Sequence, residues 1–262
     1  MSKGMLYDAT KCIGCRACQV ACKQWNELPA EETTNTGSYE NPPHLSCNTY
    51  TKIRFTELEK DGKMNFVFTK TQCMHCEHPA CVGACLVGAF QKTPEGPVTY
   101  DDNKCIGCRY CMVACPFGIP TYEWKETTPW VRKCTFCADR QAAGLQPACA
   151  TTCPTGALTF GERDELILEA RKRISDNPKL YVNHIYGERE VGGTSWLYLS
   201  SVPFEDIGFR TLDSEPVTVN VERAMSAVPS VLVGVAAVIS GVYWLAKRRE
   251  KLNEEKQEEV AK

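Results

Sequence analysis

Four short stretches of this sequence hold sixteen of its seventeen cysteines. Cys12, Cys15, Cys18 and Cys22 are spaced CxxCxxCxxxC, and Cys105, Cys108, Cys111 and Cys115 repeat that spacing in nearly the same words, KCIGCRACQVACK against KCIGCRYCMVACP. Cys73, Cys76, Cys81 and Cys85 are spaced CxxCxxxxCxxxC, and in the last group a CxxC at Cys134 and Cys137 precedes a CxxxC at Cys149 and Cys153. Three thiolates spaced two apart are turned by a short loop toward one small volume, which suits three irons of a four-iron, four-sulfur cube. The fourth reaches a neighbouring cube more easily than its own. Disulfides fit poorly: bridge geometry is restrictive for cysteines two apart, and disulfide scaffolds belong to chains of under about 100 residues. Zinc takes Cys and His in two pairs, and His75 and His78 stand beside Cys73 and Cys76, but two CxxCxxC triplets do not divide into such pairs. The histidines are read as loop residues near a cluster, and Cys47, outside every group, as an unliganded thiol. With every cluster fully ligated and no Ser-His-Asp or Cys-His pattern, the expected chemistry is one-electron transfer without catalysis by this chain alone.

Sixteen ligands at four per cube give four [4Fe-4S] clusters, and the sharing rule pairs them. The second and third groups form one two-cluster unit, with Cys73, Cys76, Cys81 and Cys115 on one cube and Cys85, Cys105, Cys108 and Cys111 on the other. The first and fourth groups then pair across it. Cys12, Cys15, Cys18 and Cys153 hold a third cube, and Cys22, Cys134, Cys137 and Cys149 a fourth. Gly14 and Gly107 let the backbone approach the inorganic core, and Ile13 and Ile106 shield it from water. Pro116 and Pro154 end the local helices, whereas Lys23 and Leu86 stand at the equivalent places of the other groups. Met74, Phe117 and Phe136, next to ligands, either exclude water or simply pack.

The elements that must position these groups follow an α+β pattern: two nested two-cluster ferredoxin-like units, a C-terminal extension and one transmembrane helix. Residues 1–160 are the four-cluster body, with unit A at 1–23 and 134–160, unit B at 73–120 and an insertion at 24–72. Short helices are expected in QVACKQW and MVACPFG, and short strands in GAFQK and GALTF. TKIRFTELEKDGKMNFVFTK reads as a hairpin turning at Asp61-Gly62. Residues 161–178 read as an amphipathic helix with Leu166, Ile167, Ala170 and Ile174 on one side, ending before Pro178. Residues 161–223 as a whole are an extension that covers the body or meets a partner. Residues 224–246 contain no charge over 23 residues, enough at about 1.5 Å per residue to cross a hydrocarbon layer of about 30 Å. Tyr243 and Trp244 fall at its interfacial end, and Lys247, Arg248, Arg249 and Lys251 follow at once. The tail at 247–262 is therefore expected in the cytoplasm and the cluster body on the outer, periplasmic face of the cell membrane. MSKGMLYDATKC shows neither an apolar signal core nor a twin arginine, so either a signal has been removed or a partner carries the folded body across. At 262 residues, 43% hydrophobic content and a charge of -2, the chain can bury a core and lacks the basic excess of a nucleic-acid binder.

The cysteine phrases, together with CKQWNELPAEET, GSYENPPHLS, CMHCEHPACVGAC, CADRQAAGLQPAC and YGEREVGGTSWLY, resemble the iron-sulfur beta subunit of membrane-associated formate dehydrogenases, from Gly4 to the apolar segment. All sixteen ligand positions match, and none is replaced by Trp as in the related nitrate reductase subunits. The resemblance implies an electron-transfer subunit, between a molybdopterin (Mo or W) catalytic alpha subunit and a membrane cytochrome b or quinone-reducing gamma subunit. It further implies that the Cys12, Cys15, Cys18 and Cys153 cube lies next to the catalytic subunit and the Cys85, Cys105, Cys108 and Cys111 cube nearest the membrane. GMLYDATKC and CRYCMVACP are also similar to the ferredoxin-like subunit of membrane-bound nickel-iron hydrogenases, which makes hydrogen oxidation the alternative.

Overall fold

A strand just before a CxxCxxCxxxC motif pairs antiparallel with a strand just after the other kind of motif, and the chain builds this arrangement twice. The computed structural model describes residues 2–60, 62–124, 126–127 and 129–260, so Asp61 of the expected turn lies outside the described residues. Along the chain run β1 (Lys3–Asp8), α1 (Ala17–Trp25), β2 (Lys52–Lys60), β3 (Lys63–Thr71), α2 (Ala80–Gly83), β4 (Phe90–Lys92), β5 (Val98–Tyr100), α3 (Tyr110–Ala114), β6 (Thr121–Tyr122), β7 (Val131–Arg132), α4 (Ala138–Ala142), α5 (Ala148–Thr151), β8 (Leu158–Glu162), α6 (Arg163–Asp176), β9 (Trp196–Leu199) and α7 (Val219–Val260).

In the first copy β1 precedes Cys12 and pairs with β8, which follows Cys153, with Tyr7 opposite Leu158. In the second β5 precedes Cys105 and pairs with β4, which follows Cys85, with Tyr100 opposite Phe90. Each tyrosine stands five residues before the first cysteine of its motif, and each partner five residues after the last. The register is thus the same in both copies. Backbone detail repeats as well: Gly14 and Gly107 take φ +67° and +69°, and Arg16 and Arg109, heading α1 and α3, take φ 60° and 65°. Asp8 and Asp101 each accept a hydrogen bond at 3.1 Å from the backbone N–H two residues on. Such Asx turns aim the chain into the cysteine loop.

Helices α1 and α3 follow the triplets as the sequence suggests, though α3 stops at Ala114, just short of Cys115 and Pro116. The expected strands after the closing cysteines are β4 and β8, and the hairpin is β2–β3 in a continuous register from Lys52↔Thr71 to Lys60↔Lys63. Helix α6 buries Leu166, Ala170 and Ile174 against Leu6, Leu197 and Leu199. Residues 161 and 162 belong to β8 rather than to this helix.

The stretch read as a covering extension supplies an interior element. Strand β9 lies parallel to β1 at the centre of the three-stranded order β8-β1-β9, and its four residues are all buried. One compact unit accordingly runs on to Val217, with no division at residue 160. The physical reason is hydrophobic: β9 is an edge strand, but Trp196, Leu197, Tyr198 and Leu199 bury side chains on both faces of the sheet. A second unit starts at Thr218 and is essentially α7, which continues without a break through residues 247–260. Within it Arg223–Asn253 is long and apolar enough to cross a membrane, with mean hydropathy 2.0 and none of its apolar window buried by the rest of the chain.

Candidate iron-sulfur sites

The loop of the first motif leaves β1, turns at Gly14 and enters α1, so that Cys12, Cys15 and Cys18 face one cavity with Cys153 from the loop before β8. The cavity is also lined by Tyr7, Ile53 and Leu158. A second cavity is lined by Cys22, Cys134, Cys137 and Cys149 together with Thr51, Lys70 and Trp196. The other eight grouped cysteines meet in the same pattern. Burial first, then the sulfurs of Cys73, Cys115 and Cys81, push the Cys76 thiol well above its ordinary range. Burial and then the sulfurs of Cys105, Cys108 and Cys85 push Cys111 up to about 11.

These four sets form a row, because each touches the next electrostatically. Cys18 of the first set feels Cys149 of the second, Cys134 of the second feels Cys73 of the third, and Cys81 of the third feels Cys111 of the fourth. Cys47 stands apart, beside Thr121, Glu123 and Arg132, and burial raises its thiol. Among the described residues no three Cys, His, Asp or Glu side chains gather on a single-ion site. The sulfurs surround volumes instead.

Three further features fit an anionic, sulfur-rich group. Backbone N–H groups point at ligand sulfurs: Gly14 to Cys12 at 3.5 Å, Gly107 to Cys105 at 3.4 Å, Phe136 to Cys134 at 3.3 Å and Ala89 to Cys85 at 3.2 Å. Trp196, on the wall of the second cavity, has a buried Nε1 without a partner among the described residues. Burial also pushes Cys22 and Cys81 up to about 12, so in the metal-free pocket the thiols keep their protons, and binding metal must release them.

A family model for the 4Fe-4S dicluster domain matches residues 64–163, and one for the 4Fe-4S binding domain matches residues 3–24. The formate dehydrogenase iron-sulfur subunit of Haemophilus influenzae is 37% identical over 246 residues, 92% of this chain and 77% of that protein. The nitrate-inducible formate dehydrogenase iron-sulfur subunit of Escherichia coli K12 is 42% identical over 197 residues, 74% of this chain. The chain belongs to the formate dehydrogenase iron-sulfur subunit family. The hydrogenase-2 operon protein HybA of Escherichia coli O157:H7 is also similar, 35% identical over 281 residues, 95% of this chain and 85% of that protein. The chain spans 66% of the length of the Escherichia coli K12 relative. As a member of the formate dehydrogenase iron-sulfur subunit family, it binds 4Fe-4S clusters and serves electron transfer rather than catalysis.

Within this iron-sulfur subunit the spacing argument passed over four residues. Tyr7 and Tyr100 carry a repeat longer than KCIGCR, YDATKC against YDDNKC, and each phenol approaches the first cysteine of its motif. That signal was in the sequence. Lys70 and Trp196 come from β3 and β9, and only the tertiary fold brings them to Cys22 and Cys149. His75, read as a loop residue, is fully buried and stacks on Phe136 at 5.0 Å between ring centroids. Its Nδ1 accepts the Val98 N–H at 2.9 Å, and burial, then Lys133 and Lys92, hold its pKa well below the ordinary value. The proton therefore sits on Nε2 of a neutral ring. His78 is exposed.

Proposed function

We propose that this chain is the electron-transfer subunit of a formate dehydrogenase complex and carries four [4Fe-4S] clusters. Cys12, Cys15, Cys18 and Cys153 would hold one, Cys22, Cys134, Cys137 and Cys149 the next, Cys73, Cys76, Cys81 and Cys115 the third, and Cys85, Cys105, Cys108 and Cys111 the last. The observation that carries this reading is the row of four sulfur sets in which each is electrostatic neighbour to the next. Bound there, each cluster supplies a one-electron carrier with a potential in the broad range of about -700 to +450 mV. The chain's own residues hold the thiolates, aim N–H donors at them and exclude water, which together set each potential.

The equal registers of β1 with β8 and of β5 with β4 support two nested two-cluster units, 1–23 with 134–160 and 73–120. The partners are a molybdopterin (Mo or W) catalytic subunit at the Cys12 end of the row and a membrane cytochrome b or quinone-reducing subunit at the Cys111 end. Residues 224–246 span the cell membrane, the tail from Lys247 lies in the cytoplasm and the cluster body on the periplasmic face. The length and hydropathy of Arg223–Asn253 support the span, and the basic run after it supports the orientation.

The near-complete match to HybA favours one second reading, the equivalent subunit of a nickel-iron hydrogenase. The native complex, purified anaerobically, is assayed for dye reduction with formate and with hydrogen and analysed for iron, sulfide, molybdenum, tungsten and nickel. Formate activity with molybdenum or tungsten and about sixteen irons per chain is the expected result. Hydrogen activity with nickel and none with formate gives the second reading instead.

A further inference from the structure

Lys70 is 1% exposed, and its ammonium donates to neutral partners, Thr51 Oγ1 and Gln72 Oε1. Its Nζ lies 5.0 Å from the centroid of the Trp196 ring, and the residue lines the cavity of Cys22, Cys134, Cys137 and Cys149. No carboxylate lines that cavity. The side chain is also held in place, because Gln72 donates to the Tyr198 hydroxyl, which in turn donates to the Lys70 carbonyl at 2.9 Å. Burying an ammonium without a counter-charge costs several kcal/mol, so a fold that holds one this rigidly needs an anion beside it.

The internal repeat supplies a comparison. Lys70 precedes Cys73 by three residues, and Val131 precedes Cys134 by three. In both cases the side chain crosses to the other copy: Lys70 reaches the cavity of Cys22 and Cys149, and Val131 packs with Phe90, Val98 and Cys111, beside Cys81 and Cys85. Equivalent backbone positions therefore carry different side chains, and the other copy takes its buried ammonium from Lys133 instead, which donates to the Val98 carbonyl and lies 5.8 Å from the centroid of the Phe90 ring.

We propose that Lys70 is a fixed counter-cation for the cluster held by Cys22, Cys134, Cys137 and Cys149, raising its reduction potential above the value it would have without that charge. The inference rests on the ligand assignment given above. A cation beside a redox centre stabilises the reduced form, which carries one more negative charge, and net charge is one of the levers that set such potentials.

The test is a redox titration followed by electron paramagnetic resonance on the native complex, comparing wild type with Lys70→Met, Lys70→Gln and Lys70→Arg. Met and Gln remove the charge and keep most of the length; Arg keeps the charge. With clusters fully loaded, both neutral variants are expected to move one midpoint to a more negative value, the other three moving less, while Arg stays near wild type. Loss of that one cluster in both neutral variants but not in Arg also supports a counter-charge. Unmoved midpoints in loaded neutral variants overturn the proposal, as does an equal negative shift or equal cluster loss in Arg, which would make shape rather than charge the requirement. A wild-type complex with clearly fewer than about sixteen irons per chain sinks the ligand assignment first, and this inference with it.

Discussion

Gly14→Ala and Gly107→Ala form a matched pair, because the two loops share a backbone and differ in what lies over them. Both glycines sit in the left-handed region, at φ +67° and +69°, so each substitution carries a conformational cost of about 1–2 kcal/mol. At Gly14 the new Cβ would stand 3.0 Å from Cδ1 and Cε1 of Phe68 and 3.2 Å from Cε1 of Phe55. These rings have little freedom to retreat. They meet edge to face at 5.0 Å, and Phe55 is further pinned under the Arg16 guanidinium at 4.8 Å and against Tyr39 at 5.8 Å. Overpacking of this kind adds about 1–3 kcal/mol. At Gly107 the nearest atom is the Tyr122 hydroxyl at 3.2 Å, the free end of a half-buried phenol, and the next lies at 3.6 Å. Gly14→Ala should therefore cost about 2–5 kcal/mol and Gly107→Ala about 1–2 kcal/mol. For a unit of this size about 1 kcal/mol moves the midpoint by about 2–4 °C, so the expected falls are roughly 4–20 °C and roughly 2–8 °C. The loaded complex is heated and the visible absorbance of its clusters followed. An equal fall in the two variants, or a larger one for Gly107→Ala, refutes the packing argument.

Arg173→Met strips the charge partner at 3.1 Å from the fully buried Asp8, leaving the neutral donors Thr10 and Tyr181, and should cost about 3 kcal/mol, with most recovered when Asp8→Asn is added. Denaturation of single and double variants checks it; a double variant as weak as the single one contradicts the coupling. Cys111→Ser should impair one cluster, leaving dye reduction at the catalytic end intact while quinone reduction is lost; loss of neither activity counts against the order of the row. Cluster loading of the metal-free chain should release protons, because burial holds Cys18 at about 11 and Cys22 at about 12, against 9.0 for an ordinary thiol. Raised values favour the protonated form, so loading yield rises with pH from about 7 to about 9. A flat yield measured by iron incorporation rules this out.

The cysteine groups are legible because ligand spacing is local, and the structure places side by side the thiols that this spacing groups, as at Cys12, Cys15, Cys18 and Cys153. Elements whose pattern closes on itself were equally legible: the β2–β3 hairpin has its alternation and turn within twenty residues, and α6 shows its buried stripe at Leu166, Ala170 and Ile174. What escaped depends on pairing across the chain. WLYL at 196–199 reads as part of an extension until β1 is found beside it, and nothing local marks it as a strand buried on both faces. Lys70 sits in a hairpin whose residues alternate, and the same alternation that predicts a strand would place a lysine in solvent. Its burial follows only from the cavity that unit A's cysteines make around it. The insertion at 24–72 likewise reaches the site only through the fold, where its Phe55 and Phe68 lie over Gly14.

Duplication explains why the differences between the copies carry more functional information than their likeness. On the proposed assignment, a repeated backbone with repeated ligands would give two cluster pairs of similar intrinsic potential, which by itself sets no gradient along the row. The side chains at matched positions break that equality: Lys70 against Val131, His75 against Phe136, and the Phe55 and Phe68 cap against Tyr122. Each pair changes a lever known to tune such clusters, namely local charge, hydrogen bonding or solvent access, while leaving the thiolates untouched. Selection on electron flow can then act on residues that ligate nothing, and a search for tuning residues should start from positions where the two copies superpose but their chemistry does not.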